Sequence, residues 1–128
     1  MTNSFALDTV KLKRYLDEND GWQQTLRLQE KEFPMMKKML EDVTAGDEEL
    51  KTRVHFKNEL DVQQKEMHTL NEDLDQQQKR LAEDCKSNVL FDIEAFLIQD
   101  ILRERIKSIE KLFIDLKCNF MNYLATVA

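Results

Sequence analysis

Gly21, Gly46 and Pro34 are the only glycines and the only proline in a chain of 128 residues. That scarcity limits the fold before anything else does. A β-sandwich or barrel needs a turn about every 8–12 residues, and turns draw on Gly, Pro, Asn and Asp for backbone angles that other residues resist. Parallel α/β folds need nearly as many breaks. Few breaks combined with 34% charged residues describe long helices with wet outer faces, so an all-α fold is expected.

Two breaks divide the chain. At Thr44-Ala45-Gly46-Asp47, the glycine suits the left-handed residue that closes a helix, and Asp47 can cap the free amides of the next, with Glu48 and Glu49 favoured in its first turn. At Lys86-Ser87-Asn88, Ser87 or Asn88 can cap a third helix, although no glycine or proline enforces the break.

Between the breaks the apolar spacing is helical. In the first segment Trp22, Leu26, Phe33, Met36, Leu40 and Val43 follow alternating four- and three-residue steps, with Gln29 the polar member. The same rhythm runs back through Tyr15, Leu12 and Phe5, interrupted by Asn19 and Asp8, so this helix begins either near Phe5, passing through Gly21, or at Trp22. Pro34 has no amide to give the carbonyl of Glu30, which predicts a kink. The second segment carries Leu60, Met67, Leu74 and Leu81, with Phe56 and Leu70 in companion positions shared by Gln63 and Gln77. The third is the clearest: Leu102, Ile106, Ile109, Phe113, Leu116, Phe120, Tyr123 and Val127 are apolar at every step, and Ile98, Ile101, Leu112 and Leu124 broaden the stripe toward two neighbours.

Helices over roughly 5–44 (kinked near Pro34), 47–86 and 88–127 would each span about 60 Å. Short connections force them antiparallel. The expected architecture is a single helical domain over 1–128, an elongated antiparallel three-helix bundle with coiled-coil-like packing. The alternative is a second helix continuous with the third in a dimeric coiled coil, because the two stripes differ in phase by one position. The bundle resembles three-helix coiled-coil repeats of the spectrin kind and the regulatory bundles of membrane-fusion proteins. That likeness is one of fold without a shared motif, so no function is carried over from it.

Charge and motifs narrow the function classes. Nineteen Lys and Arg stand against 25 Asp and Glu, a net charge of −6, and no basic run offers the concentrated charge that nucleic acid requires. No stretch of eighteen apolar residues can span a membrane. The first residues, Met-Thr-Asn-Ser-Phe-Ala-Leu-Asp, show no charged leader with an apolar run after it, and Cys85 and Cys118 lack CxxC spacing, so a cytoplasmic protein with two reduced thiols is expected. Di-iron bundles need Glu three residues before each ligand His, but Thr52 precedes His55 and Lys65 precedes His68 at that distance. Neither cysteine has an adjacent base, and Glu83 and Asp84 should raise the thiol pKa of Cys85. Glycines at 21 and 46 alone build no phosphate loop and no calcium loop. No catalytic residue, metal or cofactor is expected.

Trp22 lies on the first stripe and reads as core. Phe33, Met35, Met36 and Met39 form a group of the kind used at pliant protein-binding surfaces, with Met36 on the core row and Met35 and Met39 off it. The leading expectation is a non-enzymatic helical protein–protein interaction module (an adaptor, scaffold or assembly subunit), either monomer or homodimer, contacting a protein partner or itself through helix faces. The other is a helical bundle that binds a ligand or metal at a polar internal site formed by Gln29, Gln63 and Gln77, with Asp8 and Asn19 if the first helix begins near Phe5.

Overall fold

The computed structural model describes residues 2–43, 50–87 and 93–127, and within them every residue but Lys31 and Val43 is helical. Helix α1 spans Thr2–Glu30, α2 Glu32–Asp42, α3 Leu50–Ser87 and α4 Ile93–Val127. The first helix therefore runs through Gly21 and starts earlier than Trp22. Near Pro34 the helix is interrupted at Lys31, which itself keeps helical backbone angles (φ −68°, ψ −21°). The cause of the interruption lies three residues on: Pro34 sits in the first turn of α2, where a missing amide costs least. Ser87 is the last residue of α3; Asn88 and the Thr44–Asp47 break, with Glu48 and Glu49, lie outside the described residues.

Cross-helix bonds fix the directions. Gln78 donates to the Leu16 carbonyl (2.9 Å) and Lys37 to Asp61 (2.6 Å), so α3 runs antiparallel to α1 and α2. Gln77 donates to the Ala95 carbonyl (3.0 Å) and Gln63 to that of Leu112 (3.2 Å), so α4 is antiparallel to α3. Residues 77 and 95 cannot meet along a continuous helix, where eighteen steps would hold them about 27 Å apart. The folded-back bundle is thus the arrangement found, with α1–α2 as one interrupted rod parallel to α4.

The seams read from the sequence are the core. Leu60, Met67, Leu74 and Leu81 are all fully buried, as are Leu26, Phe33 and Phe120. One large cluster joins Leu26 of α1 and the inner face of α2 to Phe56–Leu74 of α3 and Leu102–Tyr123 of α4, with Phe33 against Phe113 (ring centroids 5.4 Å apart) and Phe56 against Phe120 (5.6 Å), both edge-on. Trp22 packs at its margin. A separate small cluster joins Leu12, Leu81 and Ala95, with Tyr15 and Phe96 edge-on at 5.7 Å. The widened stripe of α4 is only half realised: Ile98 and Leu124 pack against the core, but Ile101 and Leu112 stay about half exposed, at 58% and 48%. They border open grooves along the α3–α4 face, because the facing positions on α3 are polar.

Candidate functional site

What separates the two clusters is a layer of amides. Asn19 from α1, Gln77 from α3 and Gln99 from α4 are all buried, one from each rod. Asn19 and Gln99 exchange a pair of hydrogen bonds, Asn19 Nδ2 donating to Gln99 Oε1 (3.0 Å) and Gln99 Nε2 to Asn19 Oδ1 (2.7 Å). Gln77 Nε2 donates to the same Gln99 oxygen (3.3 Å) as well as to the Ala95 carbonyl. At the edge of the layer Gln99 Nε2 also reaches Glu18 (2.8 Å), whose carboxylate takes two bonds from Arg103 (2.7 and 3.3 Å). Those bonds to Glu18 hold the Arg103 guanidinium above its ordinary pKa; burial opposes them, and Asp100 adds to the rise. Arg103 also lies about 6 Å over Tyr15 and Trp22, at the outer limit of a cation–π contact.

Of the residues expected to line a polar internal site, Asn19 and Gln77 meet in this layer. Gln63 lies far along α3, bonded to Leu112, and Gln29 is apart from both, while the side chain of Asp8 is outside those described. The Nε2 groups of Gln63 and Gln77 go to backbone and to Gln99, while Gln29 Oε1, Gln63 Oε1 and Gln77 Oε1 are buried without a hydrogen-bond partner at separate levels of the bundle, rather than turned into one cavity. Gln99 and Gln23, both buried, were not singled out by sequence; an amide on the third stripe's backward continuation was the available signal. Among the described residues no group of three or more His, Cys, Asp or Glu comes together that could hold a metal ion. His68 is exposed and paired with Glu72 one turn on (3.0 Å), and both Cys85 and Cys118 are free and exposed. No helix among the described residues is long and apolar enough to cross a membrane.

The methionine group behaves differently. Phe33 and Met36 are buried in the core, so as partner-contacting residues they are displaced by the bundle itself; Met35 and Met39 are 56% and 41% exposed. The reason is the helical phase of α2, which turns Phe33, Met36 and Leu40 inward together. Close by, Lys117 of α4 donates to Glu32 of α2 at 2.5 Å, clamping the two rods side by side. Side chains three and four residues from each member of that pair stand on the same side of its helix. For Glu32 these are Leu28 and Met35, with Met39 one turn further; for Lys117 they are Ile114 and Met121. Leu28, Ile114 and Met121 are 66%, 57% and 50% exposed. Five large exposed apolar side chains therefore stand on the same sides of the two rods as this ion pair, which lies in the last third of each. Nothing in the spacing of one helix could announce this, since Leu28, Ile114 and Met121 lie off the seams and come to one side of the bundle only through the register of two helices.

Chemically this face can bury apolar side chains and do little else. Its polar members are a paired carboxylate and a paired ammonium, with no nucleophile or general base beside them. Other exposed apolar groups, Ile93 with Leu97 and Ile101, and Leu50 with Val54, border stretches outside the described residues. No protein-family model matches the chain, and neither does any curated protein sequence or solved structure.

Proposed function

We propose that the protein is a non-enzymatic helical interaction module, an adaptor, scaffold or assembly subunit, that engages a protein partner through the face made by α1–α2 and α4. The observation that supports this is the patch itself: Leu28, Met35, Met39, Ile114 and Met121, each 41% exposed or more, on the same sides of the two rods as the Glu32–Lys117 pair. Leaving such a set in water is costly unless it is covered, and contiguous apolar surface on a folded protein marks interaction sites. Methionines suit the role because unbranched thioether side chains repack around different partners. The exposed free thiols of Cys85 and Cys118 agree with residence in a reducing compartment such as the cytoplasm.

A photo-crosslinking residue placed at Met35 or at Ile114 tests this in the native cell. Adducts of the same discrete mass from both sites, and none from a probe at the exposed Lys79 of α3, are expected. Adducts from Lys79 alone, or from none of the three, would remove the basis of the reading.

A further inference from the structure

We draw no further inference here: the strongest candidate, the open groove between α3 and α4 with Leu70, Ile109 and Leu112 among its walls, matches Lys65 and Arg105 with Glu66 and Glu104 along its length, and nothing in the structure shows what covers it.

Discussion

The two stretches of this bundle hold together by different physics. From Leu26, Leu74 and Leu102 to Phe56 and Tyr123 the interior is hydrocarbon and aromatic ring apart from Gln63, which donates to the Leu112 carbonyl. Near the other end, Asn19, Gln77 and Gln99 interrupt it, leaving Leu12, Leu81 and Ala95 as a small cluster beyond. Hydrocarbon contacts are strong but indifferent to sliding by a turn, because one buried Leu serves much like the next. Amides are directional: a shift of one turn would leave Asn19 and Gln99 buried without each other. The apolar stretch therefore carries most of the stability, and the amide layer carries the alignment of three rods that otherwise have several nearly equivalent ways to pack. That alignment also sets Glu32 of α2 against Lys117 of α4.

The sharpest way to break the apolar stretch is Phe113→Ala. It removes a ring that is 3% exposed and stacked edge-on against Phe33, and a loss of about 3–5 kcal/mol in denaturant unfolding is expected. In the amide layer the single change Gln99→Ala should cost about 2–3 kcal/mol, because it strands the buried Asn19 and leaves Gln77 with the Ala95 carbonyl alone. Replacing Asn19, Gln77 and Gln99 by leucine at once should give the opposite sign, an equal or higher melting temperature, but with dimer appearing beside monomer in sedimentation. A triple variant that is both destabilised and strictly monomeric would contradict the division of roles.

At the edge of the layer Glu18→Gln should cost on the order of 1 kcal/mol, since both partners are about 30% exposed and water screens the pair. Its pH behaviour follows from the raised pKa of Arg103: such a group contributes fully below its unfolded value and loses the contribution only as pH climbs through the folded one. That range is strongly alkaline, so the difference between Glu18→Gln and the parent chain should stay constant from about pH 6 to pH 9. The smallest effect is a gain. Gly21 lies exposed in the interior of α1 with no atom within 4 Å of where a Cβ would stand, so Gly21→Ala should stabilise by about 0.5–1 kcal/mol.

Most of the fold was legible in the sequence, because helix seams are periodic and periodicity survives without coordinates. Leu60, Met67, Leu74 and Leu81 repeat every seven residues, and all four are buried. The glutamines among them looked like a weakness of the second seam, yet Gln77 belongs to a layer whose partners are some sixty and twenty residues away. Hydrogen bonding between distant amides depends on register, which no local pattern states. The candidate site was legible only in part for the same reason. Met35 and Met39 stood out as a cluster along the chain, whereas Ile114 and Met121 join them through the Glu32–Lys117 contact, 85 positions apart. Phe33 and Met36 were drawn into the group by adjacency, and helical phase sends them inward.

The folding-back of α3 against α4 underlies both the amide layer and the register of the three rods, and a spin-label distance tests it directly. Thr69 and Ser108 line the same groove between the two helices and can be exchanged for cysteine after Cys85 and Cys118 are replaced by serine. With labelled chains diluted in unlabelled ones, so that only distances within a chain count, the bundle predicts a separation on the order of 15 Å, one helix spacing plus the labels. A distance near 58 Å, the rise of thirty-nine residues along an unbroken helix, would contradict it.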